Sequence, residues 1–164
     1  MRPPRRQTSW LEDFPRRLRL VQPAFAAYPG LTYKRCQRQE GAVYVYQVKL
    51  EVPGYEPRRV SVEFHAGRPN TSRVYADGPA SRDASPHRYG ERGRRRLCIW
   101  YPSDPPDQRW VPEDGLLALC AMIAVHLFKE AYWREHDQWL GDEFPHAELT
   151  HHDARQGAQE ENSK

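Results

Sequence analysis

Lysine is scarce in this chain: only Lys34, Lys49, Lys129 and Lys164 are lysine among 25 basic residues, and the other 21 are arginine. With 15 prolines beside them, this points to a compositional bias of the genome as much as to function, with most arginines on the solvated surface. Cysteine is sparse as well. Cys36, Cys98 and Cys120 are an odd set with no CxxC pair, which excludes a disulfide framework. No run approaches the ~18 consecutive apolar residues of a membrane span. The basic start Met1-Arg2-Pro3-Pro4-Arg5-Arg6 is not followed by the apolar stretch of a secretory signal. A reducing, cytoplasmic setting is therefore expected. Also missing are a nucleotide-binding loop and any zinc-finger, helix-turn-helix or aromatic RNA-binding signature, so nucleic acid is not an expected partner. His126, His136, His146, His151 and His152 follow neither helical i,i+4 ligation nor a HExxH pattern. No metal and no cofactor is expected.

What is present is enough for one domain. The 164 residues are 38% hydrophobic and 12% aromatic, sufficient for a core. The net charge of +3 hides an asymmetry, since residues 1–21 hold six Arg against two acids and residues 141–164 hold six acids against two bases. We expect a flexible basic arm over residues 1–8, a domain over 9–149 and a disordered acidic tail over 150–164.

Ser9-Trp10-Leu11-Glu12 reads as a capping box, and Asp13 or Phe14 before Pro15 offers a second helix start. The helix is expected to run to about Ala26, with Leu11, Phe14, Leu18, Val21 and Phe25 at helical spacing. Strands follow at Leu31 to Gln39, Val43 to Val52 and Arg59 to Phe64, with a short fourth at Arg73 to Ala76. The second is the clearest, with Tyr44, Tyr46, Val48, Leu50 and Val52 in alternation. Short turns between them predict an antiparallel meander. Residues 77–93 read as polar loop, and Leu97 to Trp100 is too short for a firm strand assignment. After Pro112, Glu113 and Asp114 suit a helix N-terminus. Leu116, Leu119, Cys120, Ile123, Leu127 and Ala131 then form one stripe, which is expected to continue towards Trp139 and stop at Gly141. Helix, meander, cysteine-bearing connection and core helix make an α+β layout.

The chemistry concentrates around Cys98, in Arg96-Leu97-Cys98-Ile99-Trp100-Tyr101. His87 lies eleven residues before it and Trp110-Val111-Pro112 begins twelve residues after it. This order resembles that of the ubiquitin-conjugating enzymes over roughly Trp10 to Trp139. Val74-Tyr75-Ala76-Asp77-Gly78-Pro79 stands in place of the family's proline-containing loop, and Pro86-His87 in place of its His-Pro-Asn tripeptide. Leu97-Cys98-Ile99 stands in place of the Ile-Cys-Leu segment, Trp110-Val111-Pro112 matches the Trp-x-Pro, and Leu116 to Leu127 follows as the core helix. The tripeptide's Asn is missing, since Arg88 and Tyr89 follow His87. Trp133-Arg134-Glu135 and the segment from Trp139 look more like the divergent bacterial members found in anti-phage operons.

The resemblance implies that Cys98 is a thioester-forming nucleophile. Its acyl donor would be the C-terminal glycine, or a similar group, of a partner protein, either a nucleotidyltransferase making cyclic oligonucleotides or a ubiquitin-like protein. A separate factor would activate the acyl group. The attacking species is the thiolate, and Arg96, two residues before Cys98 on an extended segment, is expected to favour it. Backbone amides near Cys98, with His87 in place of the missing Asn, are the candidate oxyanion donors. Asp104 and Asp107 are candidate bases towards an attacking amine, and Tyr89, Tyr101 and Trp110 are supporting residues. Arg5, Arg6, Arg16 and Arg17 offer a partner-binding face. Two alternatives stay open: a non-catalytic adaptor of the same fold, and a Cys-His hydrolase on Cys98 and His87 with Asp83 or Asp104 orienting the imidazole.

Overall fold

The computed structural model describes residues 9–78, 86–89, 95–101 and 104–141. The basic arm, the acidic tail, Arg5, Arg6 and Asp83 lie outside these residues. Helix α1 spans Phe14–Ala27. It begins at the second of the two expected starts: the Asp13 carboxylate accepts the Arg16 amide at 3.2 Å, and Pro15 occupies the first turn. Ser9 instead caps a separate tight turn, its Oγ accepting the Leu11 amide at 3.2 Å and its carbonyl the Glu12 amide at 3.0 Å. That turn buries Trp10 and Leu11 and sends the Trp10 indole N–H to the Pro69 carbonyl at 2.8 Å. The expected apolar stripe of α1 is corrected in part. Val21 and Ala24 are buried, whereas Phe14, Leu18 and Phe25 are exposed; the helix turns its smaller side chains inward because the later helix α2, Gly115–His136, lies close alongside.

The sheet is antiparallel and has six strands, not four: β1 Thr32–Arg38, β2 Gly41–Val52, β3 Tyr55–His65, β4 Arg68–Ala76, β5 Arg88–Tyr89 and β6 Arg96–Leu97. Their spatial order is β1-β2-β3-β4-β6-β5. The expected meander is therefore present in β1 to β4; β1 is one residue shorter at each end than expected, whereas β2, β3 and β4 are longer at their turns. Register is fixed by the apolar set. Tyr44 faces Phe64, Tyr46 faces Val62 and Val48 faces Val60, while Val62 in turn faces Val74; a slip of one residue would turn all of these outward.

Helix α2, Gly115–His136, lies behind this apolar face after a 3₁₀ turn at Pro112–Asp114. All six residues of its expected stripe are buried. The helix ends at Asp137, in left-handed conformation with φ 55°, and not at Gly141. Gly115 is required where the two helices meet, because a Cβ there would stand 2.9 Å from the Leu20 carbonyl oxygen of α1 and its φ is +78°. The stretch Pro112–His136 has the length and mean hydropathy, 1.4, to cross a membrane, and half of its apolar window is buried inside the protein, as for the core helix of a two-layer fold. Trp10, Phe64 and Trp110 close the core at one end, with Trp110 5.4 Å and Trp10 5.1 Å from the Phe64 ring.

Candidate active site around Cys98

The two short strands that sequence periodicity could not resolve are the ones that place the thiol. β6 pairs with β4 through Tyr75 and Arg96, and with β5 through Arg88–Leu97 and Tyr89–Arg96. Cys98 follows β6 directly, and its N–H donates to the His87 carbonyl at 2.9 Å. The ladder thus ends with the cysteine fixed and half-buried. The chain then folds back. The Asp104 carboxylate accepts the Tyr101 amide at 2.7 Å, and the Asp104 amide donates to the Tyr101 carbonyl at 3.0 Å. This turn brings the Tyr101 hydroxyl onto the Cys98 sulfur.

The electrostatics correct one expectation. Burial pushes the Cys98 thiol up, the hydrogen bond from Tyr101 opposes this, and the Asp104 carboxylate adds to the rise. Arg96 does not hold a thiolate; its guanidinium lies over the Tyr89 ring, 4.5 Å from the centroid. Tyr89 itself is raised by burial, with Arg96 opposing and Cys98 adding to the rise, so Tyr89, Arg96, Cys98 and Tyr101 form one neighbourhood. The resting sulfur is a neutral thiol.

His87 meets Cys98 through its main chain. Its ring is buried, 3.7 Å from the Trp139 ring and 6.2 Å from that of His126. The groups that shift the Cys98 thiol are Tyr101 and Asp104, not an imidazole. The Cys98 amide, expected as an oxyanion donor, is already committed to His87, whereas the Tyr101 hydroxyl hydrogen-bonds the sulfur. Trp110 is a core residue, 3% exposed, whose indole N–H donates to the Gly115 carbonyl at 2.8 Å; it shapes the start of α2 and takes no part beside the thiol. Asp107 is exposed in the 3₁₀ turn Pro106–Gln108.

Arg88, which follows His87, supplies what sequence reasoning missed. Its guanidinium is buried and donates to both Glu130 carboxylate oxygens, at 2.8 Å and 2.7 Å, and to the carbonyls of Ala76 and Asp77 at 3.0 Å and 3.3 Å. Arg134, one turn further along α2, donates to Glu130 at 2.8 Å. This clamp ties β5 to β4 and to the core helix, and so fixes the start of β5, next to His87, whose carbonyl holds Cys98. One signal was visible beforehand, because Glu130 falls beside Leu127 and Ala131 on the apolar stripe, where a carboxylate needs a buried cation.

One residue beyond the cysteine, Ile99 opens a groove of about 330 Å³ that continues over Met122, Val125, His126 and Lys129 of α2. A larger hollow of about 600 Å³ lies on the open face of the sheet, lined in part by Gln47, Arg59 and Tyr75. Among the described residues no three His, Cys, Asp or Glu side chains converge to hold a metal ion. No family model, curated protein or solved structure matches the chain.

Proposed function

We propose that the protein is a ubiquitin-conjugating-like acyl carrier of bacterial anti-phage defence. In this reading Cys98 accepts the C-terminal acyl group of a partner protein as a thioester and passes it on. The observation that carries it is the setting of the sulfur: a half-buried cysteine just past the short strand β6, hydrogen-bonded by a tyrosine hydroxyl and one residue from an open groove. The thiol adds to an activated carbonyl, its proton passing through water to the departing group; a tetrahedral oxyanion forms and collapses, the bond to the leaving group breaks, and the thioester is left on Cys98. Tyr101 donates to the sulfur and offers the same hydroxyl to the oxyanion as it forms. The Ile99, Met122 and Val125 surfaces of the groove suit the apolar side chains of a chain end. The Arg88 clamp replaces the family's asparagine as the element that orders the cysteine loop.

An adaptor of the same layout is the second reading, favoured by the raised Cys98 thiol. Incubation with the proteins encoded beside it separates the two. A thiol-sensitive adduct on a non-reducing gel, lost in Cys98→Ala and kept in Cys120→Ala, supports the carrier. Stable association without an adduct supports the adaptor. A free, shortened partner would return the case to a hydrolase.

A further inference from the structure

The open face of the sheet ends in a charged cluster that the chemistry of Cys98 does not use. The β1–β2 and β3–β4 turns lie at the same end of the sheet and carry Glu40 and Gly67. Between them is a hollow of about 310 Å³ lined by Glu40, His65, Gly67, Arg68 and Arg73, a size at the low end for small-ligand sites. His65 forms its wall and is 9% exposed. Its Nε2 is buried with no hydrogen-bond partner among the described residues, 3.9 Å from the Glu63 carboxylate. Glu63 is itself buried and held by both terminal nitrogens of Arg38, at 2.9 Å and 3.2 Å. On the open side, one oxygen of Glu40 stands 3.9 Å from His65 Nδ1 and 3.9 Å from the Arg73 guanidinium.

An oxygen anion thus already sits between a histidine and an arginine, too far away to hydrogen-bond either. It belongs to a side chain that is 71% exposed and free to swing out. Arg68 at the rim is exposed and has no ion pair among the described residues. The geometry points to a binding site for a small tetrahedral oxyanion of the phosphate type, entering between His65, Arg68 and Arg73 and displacing Glu40. A doubly charged anion outcompetes the single carboxylate it displaces, and paired guanidinium donors suit its geometry. Glycine at position 67 leaves the turn open, since nothing stands within 4 Å of where a Cβ would be. The resting imidazole is held neutral by burial and by Arg73 and Arg38, against the opposing pull of Glu63 and Glu40. An anion in the hollow adds to that pull, so the imidazole takes up a proton, with Nδ1–H facing the anion and Nε2–H facing Glu63.

The test is titration of the full chain with sulfate, whose charge is constant over the range used, followed by calorimetry and backbone amide shifts. We expect one saturable site near residues 65–73, with tighter binding as pH falls from about 8 to about 6. Arg68→Ala and Arg73→Ala each weaken it roughly tenfold or more, whereas Glu40→Gln tightens it. Arg68 is exposed, so its loss leaves the fold intact and a null result there is informative. Glycerol 2-phosphate and inorganic phosphate form the second arm: either binding at these residues sustains the site, and preference for the ester assigns it to an organic phosphate. Shifts that do not saturate, equal affinity in the Arg68 and Arg73 variants, or a site that takes Mg²⁺ and not sulfate would overturn the proposal.

Discussion

Replacing Glu130 with leucine should be among the most damaging single changes in this protein. Glu130 is 1% exposed and neutralises Arg88, whose side chain is 7% exposed, through two short bonds. Removing the carboxylate leaves a guanidinium buried without its counter-charge, which costs about 3–5 kcal/mol. That is a large part of the roughly 5–15 kcal/mol that holds a domain of this kind together. Arg134 loses the same partner but is 20% exposed and can turn to water. Arg88→Met should cost a similar amount, because it strands Glu130 and also removes the donors to the Ala76 and Asp77 carbonyls, about 1 kcal/mol each. The double variant buries no unpaired charge at this site. It should therefore cost less than either single change, giving a coupling energy of about 3 kcal/mol or more. Urea denaturation of the four proteins measures this directly. Single variants that lose less than about 1 kcal/mol, or costs that add within about 0.5 kcal/mol, would refute the clamp.

Two further outcomes follow from the titrating groups. Alkylation of Cys98 by iodoacetamide should lag behind a free thiol at neutral pH and rise only at higher pH, because its thiol is raised. Tyr101→Phe removes the hydrogen bond that opposes that rise, so its profile should move further up; an unchanged profile would remove Tyr101 from the site. Cys120 is pushed up to about 12 by burial and should stay unlabelled in the folded protein. Burial lowers His126 from 6.5 to about 4. The unfolded chain therefore binds a proton that the folded one refuses, so stability is full above about pH 6.5 and falls towards pH 4, by about 3 kcal/mol in total. His126→Leu should flatten this limb of the stability curve, and an identical acid limb in the variant would contradict the assignment.

How much of this was legible beforehand depends on the range over which each signal acts. β2 was readable because Tyr44 to Val52 alternate over one apolar face and the turns on either side are short. The stripe of α2 was readable for the same reason at helical period. α1 was half-readable, since spacing shows a stripe but not which half of it a neighbouring helix will cover, and Phe14, Leu18 and Phe25 were left outside. β5 and β6 have two residues each, too few for any period, and they exist because β4 offers them an edge. The neighbourhood of Cys98 was legible in its members, Tyr89, Arg96, Tyr101 and Asp104, but not in their contacts. The pairing of Arg96 with Tyr89, and of the Cys98 amide with His87, depends on strand register that no local pattern encodes. Burial of the sulfur likewise arises from residues distant in the chain.

The central claim is that Cys98 carries an acyl group, and intact mass spectrometry tests it most directly. The protein would be purified under non-reducing conditions from cells that also make the proteins encoded beside it, then mapped by peptide. The expected result is a partner-sized increment on the peptide containing Cys98, released by dithiothreitol and by hydroxylamine and absent from Cys98→Ala. An adduct that survives in Cys98→Ala, or a Cys98 peptide that stays unmodified while the partner is present and activated, would contradict it.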